Sequence, residues 1–279
     1  MLFSLSFQTA PFTSTLDPSE DSRTGLSNSE LTLLSNVLYA YEVFSIVPRV
    51  CLAIENLSKA SSDIHIDVLN PMEVISQIFV SIQSFISALP DFRILTTEEQ
   101  TSLFERNLHG IVGFYFLLFS RSTKLLDHSQ CLEAFINTYG SESISLAKAA
   151  IDRLDPDATM VKLMLVILGF SSHCLLITDK TDSTSDGLLY GAFRLFGSQN
   201  VYLELLWKYM IHQYGYADST IRYSRLLQTI SCVLKTSANV YLTNGRHQNM
   251  VDESLEKFKI SLARREYEQT LLWGKSLMN

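Results

Sequence analysis

Residues Phe85–Phe104 read FISALPDFRILTTEEQTSLF, and the way this stretch breaks decides the fold. In it and just upstream, apolar residues fall at Ile75, Ile78, Phe79, Ile82, Phe85, Ile86 and Leu89, one stripe on a 3.6-residue repeat. The spacing predicts a helix with a buried face. Pro90 has no N–H and drives Leu89 out of helical geometry, so the helix stops there. Phe92 and Leu95 are then placed to plug the turn. Thr96 or Thr97 caps a second helix whose first turn holds Glu98, Glu99 and Gln100, where carboxylates meet the exposed N–H groups and the positive end of the dipole. Taken alone, the stretch predicts two helices joined by a plugged turn in an all-α core.

The rest of the chain continues in this pattern. A first helix is predicted over Ser29–Phe44, followed by a connection to Val68 and a long helix starting near Pro71, a residue suited to a first helical position. Two helices, the fourth and fifth in order, fill Thr97–Phe119. Arg121–Ser129 reads as a turn or a small β-hairpin. Helices follow over 130–138, 141–153 and 157–177, then a loop at Asp179–Asp186 (DKTDSTSD). Helices over 188–214 and 219–243 and a break at Asn244–Gly245 precede an amphipathic segment over 248–273. Residues 1–26 are Ser/Thr-rich and predicted to be disordered, leaving 27–279 as one helical domain with 248–279 as an additional C-terminal helix. The apolar runs Ile111–Phe119 and Leu163–Phe170 are far shorter than the roughly 20 residues that span a bilayer, so they read as central helices buried on every side. No membrane association is expected. Met1–Leu16 has no basic n-region, which argues against a secretory signal.

Several function classes are disfavoured. The chain has no G-x-S-x-G, H-E-x-x-H, Walker A or G-x-G-x-x-G motif, so no catalytic residue is assigned and an enzyme is not expected. Cys51, Cys131, Cys174 and Cys232 stand singly in apolar segments and read as reduced core thiols. His128 with Cys131, or His173 with Cys174, supplies at most half a metal site, so no metal is assigned. A net charge of −7 argues against binding a phosphate backbone through this segment. The sequon at Asn56-Leu57-Ser58 is expected to be inert.

The Phe85–Phe104 stretch resembles the signature of the nuclear receptor ligand-binding domain. In that signature an aromatic and a small or apolar residue close one helix, a Pro and a Phe make the turn, and a Leu precedes an acidic-Gln pair and two apolar residues. Here these are Phe85 and Ile86, Pro90 and Phe92, Leu95, Glu99 and Gln100, and Leu103 and Phe104. Asn200–Leu227, with Arg222, Tyr223, Arg225, Leu226 and Leu227, is similar to the ninth and tenth helices of the same domain. Asn28–Tyr41, where Ser29 or Asn28 precedes Glu30 and the stripe Leu31, Leu34, Leu38 and Tyr41, is similar to its first helix. The resemblance covers roughly Ser27–Thr243. It implies a three-layer antiparallel helical sandwich serving as the ligand-binding and dimerisation domain of a divergent nuclear receptor.

On this resemblance a pocket for a small lipophilic ligand (lipid, sterol or fatty acid) lies among Phe79, Ile82, Gln83, Ile111, Phe114, Tyr115 and Leu118, with Arg121 as polar anchor; no other cofactor is implied. The alternative is an orphan receptor whose cavity is filled by Phe114, Tyr115, Phe116 and Phe119. A coregulator groove falls at Ser87, Gln100, Thr101, Leu103 and Glu105, with Glu253 on a terminal helix. It departs from the family, since Ser87 and Glu105 stand where positive charges are usual and Leu108 and Gly110 stand where a Trp and a Glu are common. The tail stripe Val251, Leu255, Phe258 and Leu262 reads preferentially as a peripheral helix. A dimer seam is placed on Tyr223, Leu226, Leu227, Ile230, Val233 and Leu234, the alternative being that this stripe is wholly core. Implied partners are a second copy or another nuclear receptor, coregulators through an atypical groove, and DNA only through a zinc module absent from this chain. The implied location is the nucleus, with the cytoplasm as a second compartment. A helical lipid carrier and a non-catalytic interaction scaffold are the alternative functions.

Overall fold

The computed structural model describes residues 25–59, 69–171 and 187–276, and every regular element among them is helical. Residues 1–24, the Asp179–Asp186 loop, His173 and Cys174 lie outside the described residues. Helix α1 spans Asn28–Phe44. Its cap is Ser27, whose Oγ accepts the Glu30 N–H at 3.3 Å while the Glu30 carboxylate accepts the Ser27 N–H at 2.8 Å. Lys208 sits 2.7 Å from the same carboxylate. That ion pair, with the Ser27 N–H, holds the Glu30 carboxyl down at about 2.

The expected connection to Val68 instead contains a helix, α2, over Val47–Lys59. Val50, Ala53 and Ile54 are buried at helical spacing and dock it on the core. Asn28–Leu57 contains an 18-residue window of mean hydropathy 1.6, the length and hydropathy of a membrane-crossing stretch. Ser45 and Ile46 break it into two helices, and Leu34, Val37, Ala40 and Tyr41 of α1 are buried in the protein's own interior.

The quoted stretch folds as its chemistry dictates. Helix α3, Pro71–Ala88, is capped by Asn70, whose side chain accepts the Met72 N–H at 3.0 Å. It ends against Pro90, which opens the single turn α4, Pro90–Arg93. Helix α5, Thr97–Thr123, starts at a capping box in which Thr96 and Glu99 exchange hydrogen bonds of 3.2 and 2.8 Å. Buried Gln100 donates to the carbonyls of Phe92 and Leu95, both at 3.0 Å, and so locks the turn from inside. α5 is one helix of 27 residues where two were expected; no proline interrupts Thr97–Thr123. It packs against α2 and α3 and against the helices that follow, α7 to α10, and is buried almost continuously from Ile111 to Ser120.

No strand occurs among the described residues, so the hairpin alternative at Arg121–Ser129 is corrected. Lys124 adopts φ 55°, ψ 30° and ends α5, and a 3-10 turn covers Leu125–Asp127. Leu125 and Leu126 are both buried; adjacent residues of a strand would point to opposite faces. Helices α6 (Ser129–Tyr139), α7 (Ser141–Arg153) and α8 (Ala158–Gly169) follow. The long α9, Gly187–Thr243, bends at Gly215, whose φ 72°, ψ 171° lies in a region open essentially to glycine alone. α10 runs over Gly245–Ser276.

The turn between α7 and α8 gathers distant parts of the chain. Asp157 caps α8 through the Thr159 N–H and accepts the hydroxyls of Tyr209 and Tyr214 at 2.8 and 2.6 Å. Arg222 Nη1 lies 2.9 Å from both Asp155 carboxylate oxygens, with its guanidinium 3.9 Å above the Tyr214 ring. Arg121 donates to the backbone carbonyls of Leu154 and Asp155 at 3.0 and 2.5 Å.

Candidate functional site

A cavity of about 100 Å³ lies among α3, α5, α6, α7, the second half of α9 and the start of α10. Ile75 and Phe79 of α3, Val112 and Phe116 of α5, Phe135 of α6, and Ile144 and Ala147 of α7 give it an apolar wall. His109, Tyr139, Ser143, Thr236, Ser237 and His247 bring polar side chains to its lining. The Tyr139 hydroxyl is 3.5 Å from His247 Nδ1, and the His109 ring meets the Tyr241 ring edge-on with centroids 4.2 Å apart. Asn244, in the break between α9 and α10, aims His247 at the cavity. Its Nδ2 donates to the Thr138 carbonyl at 2.8 Å and its Oδ1 accepts the His247 N–H at 3.0 Å.

Burial lowers both histidines to about 4; the Asp252 charge opposes this at His109, and His109 adds to it at His247. Both are therefore neutral at physiological pH, each offering one donor and one acceptor. The unfolded chain titrates near the ordinary value of about 6.5. Below that pH the unfolded state takes up protons that the fold refuses, so the stability present above about pH 6.5 is lost as the pH falls towards 4. The expected loss at about pH 5.5 is on the order of 1 kcal/mol per histidine. It is read as a lower urea midpoint than at neutral pH, with a weaker pH dependence in His247→Asn. An unchanged midpoint between the two conditions would contradict this.

Of the pocket residues expected from the sequence, Phe79 lines this cavity. Ile111, Phe114, Tyr115 and Leu118 belong to another face of α5. Positions 109, 112, 113, 116 and 117 face the cavity, about half a helical turn away at 100° per residue. Tyr115 instead meets Ser81 Oγ at 3.2 Å and the Tyr41 ring, and Ile82 is fully buried. Gln83 reaches the Ser254 carbonyl of α10 at 3.4 Å. Arg121 is spent on the α7–α8 turn.

α10 lies across α3 and α5. Phe258 packs edge-on against Phe104 at 4.4 Å, and Val251 and Leu262 are buried with it. Among the expected groove residues, Gln100 and Leu103 are interior, and Thr101 is half-buried with its hydroxyl on the Thr97 carbonyl. The Ser87 carbonyl accepts from Arg93 Nε at 3.2 Å. Glu105 pairs with Lys259 of α10 at 2.7 Å, whereas Glu253 is exposed and lies 3.9 Å from Lys257 along its own helix.

On α9, Leu226, Ile230, Val233 and Leu234 of the expected seam are buried in the chain's own core. Tyr223 and Leu227 are half-buried at its edge, flanked by exposed Ile221. Next to them an open groove of about 580 Å³ between α7 and α9 is lined by Leu146, Leu227, Gln228, Cys232, Lys235 and Thr236. It shares Leu146, Cys232 and Thr236 with the cavity wall. Among the described residues no three His, Cys, Asp or Glu side chains are grouped as a metal site. His109, Tyr139 and His247 were not picked out by pattern reading; the available signal was a lone histidine inside the apolar α5. Comparison with known protein families and with characterised proteins finds no match to this chain.

Proposed function

We propose that the chain is a ligand-binding regulatory domain with the three-layer sandwich of the nuclear receptor type, acting in transcription in the nucleus and in a dimer. The observation that carries this reading is the apolar cavity at the meeting of α3, α5, α9 and the first turn of α10. A molecule there touches the helix that covers the opposite surface, which is what a ligand-gated regulator requires. Pockets for drug-sized ligands run to about 300–1,000 Å³. A cavity of about 100 Å³ holds a compact group, and the adjoining α7–α9 groove extends it past Cys232 towards Lys235. The fitting ligand is an anionic amphiphile, with its tail against Phe79 and Phe116 and its head near Lys235.

Native mass spectrometry of the purified chain, before and after organic extraction, tests this. An amphiphile retained by the native chain, lost from Ala147→Trp and rebound after extraction, is the expected result. Lys235→Glu is expected to weaken a fatty acid by about tenfold while sparing the matching alcohol. An empty chain that takes up neither compound overturns the ligand reading and leaves a domain whose core is filled by its own side chains.

A further inference from the structure

We propose that Asn244, followed by Gly245, is a site of spontaneous covalent modification, at which the side-chain amide is lost through a cyclic imide and the tie it makes between α6 and α10 is lost with it. The site goes beyond the ligand reading and holds with the cavity empty or filled. Asn244–Gly245 is the one Asn-Gly pair in the sequence. Gly245 is exposed, and a Cβ built on it would meet nothing within 4 Å, so its backbone nitrogen is open to approach. As the first residue of α10 it carries an N–H outside the intrahelical ladder, and no hydrogen bond from that N–H is found among the described residues. The neighbouring amide is already polarised. Asn244 Oδ1 accepts the His247 N–H at 3.0 Å, at the positive end of α10. Negative charge develops on that oxygen when a nucleophile adds to Cγ, so the bond that caps the helix also stabilises the attack.

The reaction needs water alone. The Gly245 nitrogen gives its proton to solvent and bonds to Asn244 Cγ, closing a five-membered imide. The Cγ–Nδ2 bond breaks, and Nδ2 takes up a proton and leaves as ammonia. Water then opens the ring at either carbonyl, giving aspartate, or isoaspartate in which the chain continues through the side-chain carbonyl. Both products carry a carboxylate, which cannot donate a hydrogen bond. The Thr138 carbonyl, which receives Asn244 Nδ2 at 2.8 Å, loses that donor. In isoaspartate the backbone between α9 and α10 is also longer by one methylene, which shifts the frame that holds His247 Nδ1 3.5 Å from the Tyr139 hydroxyl.

The test ages the folded full chain in mildly alkaline buffer and follows residue 244 by peptide mass spectrometry and isoaspartate methylation. Conversion of Asn244 to aspartate and isoaspartate in the folded chain is the expected result. Gly245→Ala has room for its Cβ at an ordinary φ, so the variant keeps the fold while shielding the nitrogen, and it is expected to slow the conversion by at least about tenfold. Aged chains carry one more negative charge and separate by ion exchange. Their amides over 245–250 are expected to exchange hydrogen about tenfold faster than those of the unaged chain. A folded chain that keeps Asn244 intact while the urea-unfolded chain loses it, or an unchanged rate in Gly245→Ala, overturns the site. Equal exchange in aged and unaged chains overturns the loosening of α10.

Discussion

Phe92→Ala is expected to lower the unfolding free energy by about 3–5 kcal/mol, the range for emptying a fully buried aromatic site. For a domain of this size that is a fall in Tm of roughly 6–20 °C by calorimetry. The residue is wholly buried in the turn between α3 and α5. Its ring carries Phe104, which in turn carries Phe258, and its carbonyl accepts one of the two hydrogen bonds from Gln100. The cavity left by truncation cannot collapse easily, because Pro90 and the Gln100 bonds fix the backbone on both sides of it. A loss below about 1 kcal/mol, the middle of the range for ordinary substitutions, would show that the turn repacks.

The second large effect is expected at Gly113, where α5 packs closely on α9. A Cβ placed there would lie 2.0 Å from Ser237 Oγ, 3.0 Å from Val233 Cγ1 and 3.3 Å from Ser237 Cβ. Gly113→Val is therefore expected to force the two helices apart at a cost of about 3 kcal/mol, the upper part of the usual range for overpacking. Gly113→Ala sets the Oγ clash against a gain of about 1 kcal/mol in helix propensity. In a Ser237→Ala background the Oγ clash is gone while the 3.0 Å approach to Val233 Cγ1 stays, so Gly113→Ala becomes less costly there. A double-mutant cycle measured by urea unfolding should give a coupling of about 1 kcal/mol between the two positions; simple additivity would refute the contact.

Much of the architecture was legible because helix ends are written locally. Pro71 after Asn70, Pro90 after Leu89, Thr96 three residues before Glu99, and Asn244 before Gly245 each mark a boundary by their own backbone chemistry, and the structure ends helices there. Where that chemistry is weak the boundaries are not legible: α2 has the apolar spacing of Val50, Ala53 and Ile54 but lacks a marked start, and no local signal between 97 and 123 tells one helix from two. The site was less legible for a different reason. α5 is apolar around its whole circumference from Ile111 to Phe119, so periodicity carries no information on which face borders empty space. The same limit applies to Leu226, Ile230, Val233 and Leu234, whose spacing suits an interface and a core equally; the packing of α9 on α5 buries them within the chain itself. His247 is held at the cavity by Asn244, which in turn binds Thr138, more than a hundred residues earlier.

The acidic turn between α7 and α8 has a consequence for how the chain is made. Asp155 and Asp157 are matched by Tyr209, Tyr214 and Arg222, residues 52 to 67 positions downstream. At a synthesis rate of roughly 5–20 residues per second, those partners are added several seconds after the two aspartates. The local bonds from the Asp157 and Thr159 N–H groups to these carboxylates can form at once, whereas the tyrosine and arginine contacts that join this corner to α9 wait for the chain through Gly215 and Arg222.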